Sequence, residues 1–374
     1  MTITGKGIIH NINQDIVGKI ILLDNCDDTY LLKCNNSTNL EILVSSNIDA
    51  NSKFTEYKNV LILSSNEFAN LNNKDILRIS ANGKYEVLYS SSSNDNSLFI
   101  TERCNSKCVF CPQPPVNNSD FKYFFSINNS IIDNLDETTE HIGITGGEPL
   151  LAKEYLFKIL DKINNNLPNT EVQLLTNGKL LGNRTYFSEI ENYITNNYLF
   201  CIPLYSDFEN DHDDIVGCKG AFISTIKGLY NLASINARVE IRIVLNNISL
   251  SRLRQMVEFI FKNLPFVEHV AFMGLEVIGL ANKNLNKIWD VENNYQSILK
   301  ESVLYLSNWG VNCSIYNIPL CCLPDELREF SVKSISDWKQ SYSDECMFCS
   351  VKEDCGGVFS TSKKSIYSLK SIIY

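Results

Sequence analysis

At 374 residues the chain is long enough for one large domain and a smaller one, each with its own core. Hydrophobic residues make up 44% without any apolar run long enough to cross a bilayer, and a formal charge of -10 excludes a general nucleic-acid binder. Thirteen cysteines, in a chain whose start lacks a basic stretch followed by an apolar one, lead us to expect a cytoplasmic protein that binds metal rather than forming disulfides.

Up to Tyr89 the chain alternates short β-like runs with Asn, Asp, Ser and Gly turns. The runs are 7–10, 19–23, 29–32, 40–44, 60–63, 76–79 and 85–89, and the last two are joined through Ala81-Asn82-Gly83 as a hairpin. We expect a β-rich domain over residues 1–92, with a barrel as one way of closing it, and no cluster of chemistry-bearing residues lies there. The polar stretch Ser90-Ser91-Ser92-Ser93-Asn94-Asp95-Asn96 marks a boundary.

Beyond it the pattern changes to strands alternating with helices. Strands are expected at 98–101, 142–145, 172–175, 199–204, 239–245 and 269–273. Helical faces are carried by Leu156, Ile159, Leu160 and Ile163; by Phe222, Ile226, Leu229 and Tyr230; and by Leu253, Val257, Ile260 and Phe261. Six such units make a partial (β/α)6 TIM-like barrel over residues 93–305, with its site at the C-terminal ends of the strands. Residues 306–374 are expected to form a separate cysteine-rich domain.

The first strand runs into Cys104, Cys108 and Cys111, a C-x3-C-x2-C loop. Three thiolates hold three corners of an iron–sulfur cube and leave one iron open to a ligand, whereas a zinc site is normally closed by a second cysteine pair. The second strand ends in Gly146-Gly147-Glu148-Pro149, where absent side chains let a ligand approach the backbone and Glu148 adds a carboxylate. Softer candidates follow later strands: Thr176-Asn177-Gly178, Tyr205-Ser206-Asp207 and Arg242, which needs an anionic partner if buried. His212 and Asp213 read as solvated loop residues rather than acid–base groups, and His10, His141 and His269 as structural. Cys26, Cys34, Cys201 and Cys218 read as small buried hydrophobes. In the tail, Cys346, Cys349 and Cys355-Gly356-Gly357 give C-x2-C-x5-C-G-G, and Cys321 or Cys322 offers a fourth thiolate, with Cys313 in reserve. That spacing suits zinc or an iron–sulfur cluster equally.

Cys104, Cys108, Cys111 and Gly146-Gly147-Glu148 together resemble the radical S-adenosylmethionine enzymes. The resemblance implies a [4Fe–4S] cluster on the three cysteines, S-adenosylmethionine on its open iron, and an external electron donor. Gly146, Gly147 and Glu148 would border the methionyl amino group, Phe110 the adenine, and Ser206 and Arg242 the ribose or carboxylate. The tail resembles the SPASM/twitch-like auxiliary-cluster domains of peptide-modifying members, which implies a second [4Fe–4S] cluster on Cys321, Cys346, Cys349 and Cys355.

Four further stretches are similar to the C-type maturases of the His-Xaa-Ser peptide system. They are Phe99-Ile100-Thr101-Glu102-Arg103-Cys104-Asn105-Ser106, Pro203-Leu204-Tyr205-Ser206, Phe272-Met273-Gly274-Leu275-Glu276 and Ser334-Ile335-Ser336-Asp337-Trp338-Lys339. That similarity implies a ribosomal precursor peptide with His-Xaa-Ser repeats, a companion radical maturase and a small partner protein. The expected reaction is hydrogen abstraction followed by oxidative cross-linking; the sequence shows no general base, and Glu276, Asp207 and water are all left open as the proton's exit. Two other readings are a radical enzyme acting on a small molecule and a non-enzymatic metal protein serving as a redox sensor.

Overall fold

The computed structural model describes residues 3–22, 29–33, 41–46, 58–117, 121–290 and 295–374, and the chain packs into two compact units. Cys26 and Cys34 lie outside the described residues, as does the side chain of His10.

The first unit contains residues up to Phe99, with 120–143 and 154–170. Its strands are β1 (Thr4–Lys6), β2 (Ile8–His10), β3 (Ile16–Leu22), β4 (Thr29–Lys33), β5 (Glu41–Ser45), β6 (Val60–Ile62), β7 (Ile76–Ile79) and β8 (Lys84–Tyr89), in the order β1-β8-β7-β3-β4-β5-β6-β2. β1 and β2 are one run of chain bent at Gly7. β1 pairs with β8 and β2 with β6, so the two ends of the sheet are joined and the sheet closes on itself. Closure removes the unpaired edges that would otherwise template association. Gly7 permits the bend, since a Cβ there would fall 2.4 Å from the Ile62 carbonyl oxygen. Ile20, Leu32, Ile42, Val44, Leu61, Leu77 and Ile79 fill the interior. β3 starts three residues before the expected run, because Ile16 and Gly18 continue the inward alternation of Ile20. The 76–89 hairpin forms as expected. The helix Phe121–Asn134 packs against β3, and Lys19 reaches Asp136 at 2.7 Å beyond that helix.

β9 (Ser97–Phe99) and β10 (His141–Thr145) lead the chain to the cysteine loop and the glycine turn. In the second unit β11 (Glu171–Leu175), β12 (Tyr198–Pro203), β13 (Arg238–Val244), β14 (His269–Met273), β15 (Asn312–Tyr316) and β16 (Ser331–Val332) lie side by side, all parallel. Alternation sorts their side chains. Val172, Leu174, Phe200, Ile202, Val239, Ile241, Val270, Phe272 and Ile315 are buried on one face, where the helices Ala221–Ser234 and Tyr295–Asn308 pack. The opposite, inner face carries Gln173, Cys201, Glu240, Arg242, His269 and Ser314. In the helix Ala221–Ser234 the buried face is Phe222, Thr225, Gly228, Leu229 and Leu232. The expected Tyr230 is 49% exposed, its hydroxyl donating to the Asn263 carbonyl.

The parallel sheet runs on past residue 305. Asn312-Cys313-Ser314-Ile315-Tyr316 is too polar to read as a barrel strand, yet it pairs with β14 along its full length. The tail that follows consists of short 3-10 turns and one small hairpin, β17 (Gln340–Ser341) with β18 (Val358–Phe359). Among the described residues no helix is long and apolar enough to cross a membrane.

Candidate active site

Cys104, Cys108 and Cys111 share one loop immediately after β9, and backbone bonds hold that loop along its length. Lys107 N donates to Val216 O and Val109 N to Ile215 O, both at 2.9 Å, while Leu280 N donates to Cys111 O at 2.9 Å. The Asn284 amide closes on Val109 O at 2.7 Å. Gly279 adopts φ +53°, and a Cβ there would lie 2.3 Å from the Pro112 carbonyl oxygen. Burial pushes all three thiols up, with Cys108 reaching about 12 because Cys111 and Cys104 add to the penalty on its charged form.

The glycine turn packs directly on this loop. Gly147 N donates to Thr101 O at 2.7 Å and Glu148 N to Arg103 O at 2.8 Å. A Cβ on Gly147 would stand 2.2 Å from Arg103 O, and one on Gly146 2.6 Å from Thr101 O. These glycines therefore admit the backbone before the cysteines as well as any ligand. Glu148 is fully buried, and burial raises its pKa against the bonds that oppose it. Its carboxylate accepts from Thr176 Oγ1 at 2.6 Å, Asn177 N at 2.8 Å and Leu150 N at 3.1 Å. It thus pins the turn after β11 to the glycine turn. Asn177 in turn donates to Asn105 Oδ1 at 2.7 Å, within the cysteine loop.

Lys179 is a site residue that sequence reasoning passed over. Its ammonium lies 2.6 Å from Asn105 O and 3.2 Å from Cys218 Sγ, and its charge eases ionisation of Cys104 and Cys108. Its signal was faint: a lysine directly after a strand-ending Thr-Asn-Gly.

The softer candidates divide. Phe110 is buried edge-on to Tyr205, ring centroids 5.1 Å apart. Ser206 is buried, and its hydroxyl accepts from Phe208 N at 3.1 Å. Asp207 is bound by both ends of the Arg252 guanidinium, at 2.8 and 2.7 Å. Arg242 meets Glu240 at 2.5 Å and Gln173 at 3.5 Å, so the chain itself supplies its anion. His212 and Asp213 are not solvated loop residues. They lie in the helix Glu209–Val216, 2% and 9% exposed, because its apolar face turns inward. Asp213 accepts from Phe222 N at 2.8 Å and from Gly220 N, and His212 Nδ1 accepts from Tyr205 N at 3.3 Å. Cys201 is buried as expected, whereas Cys218 is half-exposed beside Lys179.

Residues 98–260 match the family model described as "Radical SAM superfamily". This segment is a radical S-adenosylmethionine domain. An uncharacterized protein of Methanocaldococcus jannaschii is 29% identical over 233 residues, 56% of this chain and 78% of its own length. GTP 3′,8-cyclase of Campylobacter jejuni is 25% identical over 184 residues, 47% of this chain and 55% of its own length. The chain thus spans about half of the cyclase. Among solved structures, anSMEcpe with bound AdoMet superposes with a TM-score of 0.42 at 16% identity, covering 59% of this chain and 63% of that one. The match of residues 98–260 supports an enzyme that cleaves S-adenosylmethionine with a [4Fe–4S] cluster and disfavours the non-enzymatic reading.

The radical domain's own residues fit that pair of cofactors. Three thiols stand on one backbone-anchored loop, a cation adjoins them, and Ser106 within the loop keeps a buried hydroxyl with no hydrogen-bond partner. Among the described residues no three His, Cys, Asp or Glu side chains already stand as a metal-ligand set.

Outside the domain, Cys321, Cys346, Cys349 and Cys355 of the tail line one small cavity of about 20 Å³. Its walls are almost wholly carbon and sulfur, with Leu320 and Leu369 among them. Backbone N–H groups already point at two of the sulfurs: Leu320 N and Gly357 N at Cys355 Sγ, and Ile372 N at Cys349 Sγ, each at 3.4 Å. Cys322 does not line the cavity. Its thiol lies 3.7 Å from the Ser368 carbonyl and 3.9 Å from Cys321 Sγ. Cys313 points instead to Val303 O at 3.8 Å, against the helix Tyr295–Asn308.

Proposed function

We propose that this radical S-adenosylmethionine enzyme matures a ribosomally made precursor peptide carrying His-Xaa-Ser repeats. It would work in the cytoplasm with a companion radical maturase, a small partner protein and an external electron donor. The observation that carries this reading is the four-cysteine cavity beyond the radical domain. The cavity suits an auxiliary [4Fe–4S] cluster on Cys321, Cys346, Cys349 and Cys355, and such a cluster gives an oxidative cross-link somewhere to send its electron. The resemblance of four separate stretches to the peptide maturases supports the substrate class.

The bound cofactors supply a 5′-deoxyadenosyl radical that takes a hydrogen atom from an unactivated carbon. The chain's part is to hold and orient. Cys104, Cys108 and Cys111 would hold the cluster through their thiolates. Gly146 and Gly147 shape the rim beside it, and Glu148 locks that rim to Thr176 and Asn177. Phe110 and Tyr205 wall the loop on its apolar side, where they keep water out.

Anaerobic reconstitution with iron and sulfide counting, a dithionite assay for 5′-deoxyadenosine, and mass spectrometry of a co-expressed precursor test the reading. Two cubane clusters, about eight irons per chain, are expected. Cys108→Ala should abolish 5′-deoxyadenosine. Cys349→Ser should spare it and stop the peptide product, and Cys322→Ser should retain both clusters. About four irons with one zinc would make the tail structural instead.

The likeness to GTP 3′,8-cyclase favours a second reading, a nucleotide-derived small substrate. Conversion of GTP, with the peptide left unchanged, would establish it.

A further inference from the structure

Three residues on neighbouring strands of the second unit's sheet form one hydrogen-bonded chain. Glu240 is the third residue of β13, His269 the first of β14 and Ser314 the third of β15, all on the inner face. Glu240 and His269 are register partners, and Ser314 pairs with Ala271 two residues along. That diagonal brings long side chains within reach. His269 Nδ1 lies 2.8 Å from Glu240 Oε2, and His269 Nε2 lies 2.9 Å from Ser314 Oγ. The other Glu240 oxygen accepts from Arg242 Nε at 2.5 Å.

We propose that Ser314, His269 and Glu240 are a proton-accepting relay, with His269 as the general base of the inner face. The order of donors and acceptors dictates the direction. An ionised carboxylate only accepts, so Nδ1 must carry the ring proton. Nε2 is then left with a lone pair, and the Ser314 hydroxyl donates into it. Burial works to raise the Glu240 pKa, but the His269 bond and the Arg242 charge together hold it below the ordinary carboxylate range, so the anion is present. Glu240 and Arg242 are positioning residues, and the acceptor is His269.

Two further observations favour chemistry over packing. The His269 side chain is 19% exposed while Glu240 is 4% exposed, so the relay is sealed at its anionic end and open at its basic end. Tyr316, the last residue of β15, has its ring centroid 6.2 Å from that of His269. Along the register Leu175, the last residue of β11, is level with Cys201, Glu240 and His269, so the relay shares the row that Thr176 follows. The carboxylates named from sequence as proton exits are occupied. Glu276 is held by Lys339 at 3.1 Å and by Thr361 at 2.5 Å, and Asp207 by Arg252.

The step rests on the cross-linking reading for its substrate. One C–H hydrogen atom passes to the deoxyadenosyl radical. The carbon radical then joins the heteroatom of an O–H, N–H or S–H group of the same peptide. One electron leaves to an oxidised iron–sulfur acceptor. The heteroatom's proton passes to Ser314 Oγ as the Ser314 proton moves to Nε2, leaving imidazolium against Glu240.

The test has two arms. Ring-¹⁵N histidine NMR of the full chain without substrate, with His269 assigned by its loss in His269→Gln, should show the Nδ1–H tautomer, and Glu240→Gln should erode that preference. In anaerobic turnover, Ser314→Ala and His269→Gln should keep 5′-deoxyadenosine formation while cross-linked product falls about 100-fold or more. Added imidazole should restore part of the His269→Gln activity. An Nε2–H tautomer in the wild-type protein, or cross-linking by both variants at the wild-type rate, overturns the relay. A wild-type enzyme that joins no bond in the peptide overturns the peptide reading, and the tautomer alone then decides the relay.

Discussion

At the scale of single residues, burial decides what a titratable group does. His212 lies stacked on Tyr205 at 5.7 Å and edge-on to Phe222 at 5.8 Å, and burial lowers its pKa to about 4. The unfolded chain, with an ordinary imidazole near 6.5, binds a proton that the folded one refuses. Stability from this group is complete above the unfolded value and is lost as pH falls from 6.5 toward 4. Acidification from pH 7 to 5 should cost about 2 kcal/mol through His212 alone. Urea midpoints of wild type and His212→Gln should converge in the acid by that amount. The sequence hid this, because Asn210-Asp211-His212-Asp213-Asp214 is as polar as a loop. Only the packing of Ile215 and Val216 turns the helix and carries His212 inward.

At the scale of elements, close backbone approach is the controlling constraint. Gly147→Ala would place a Cβ 2.2 Å from Arg103 O, where neither partner is a flexible side chain. We expect a loss of about 2 kcal/mol or more, with iron uptake after reconstitution falling in parallel, because the shifted turn drags the cysteine loop with it. Gly220→Ala is the contrast. Unlike Gly147 it sits at positive φ, +74°, but nothing lies within 4 Å of its Cβ position. It should cost only about 1 kcal/mol of left-handed strain and leave iron uptake intact. Denaturant midpoints and iron content separate the two. The strands themselves were largely legible, because a run such as Val239-Glu240-Ile241-Arg242-Ile243 alternates in the way a sheet residue must. β15 was not, since its partner β14 rather than its own composition makes it a strand.

At the scale of the molecule, an ion pair joins the tail hairpin of the second unit to the segment after β14, beside the bonds of Val277 with Ser362 and Lys363. Glu276, three residues past β14, takes Lys339 at 3.1 Å and Thr361 at 2.5 Å, with the two charged side chains 14% and 24% exposed. The Lys339 ammonium also lies over the Trp338 ring at 5.0 Å and the Phe359 ring at 5.9 Å. Lys339→Met should weaken this join by about 2 kcal/mol, the worth of a partly buried charged hydrogen bond. Faster hydrogen exchange over residues 334–362, with 5′-deoxyadenosine formation unchanged, is the expected signature.

Covalent spacing determined what the sequence could settle alone. Cys104, Cys108 and Cys111 must share a loop whatever the rest of the chain does, and a strand ending in Gly146-Gly147-Glu148 must present a bare turn. Tertiary structure decided everything that depends on partners distant in the chain. It chose Cys321 over Cys322 as the fourth thiol of the tail cavity, although the two are adjacent in sequence. It gave Arg242 an anion within its own strand, and it set His269 between Glu240 and Ser314, residues 29 and 45 positions away. Such placements arise from strand register, and register is fixed only when whole faces of the sheet are buried together.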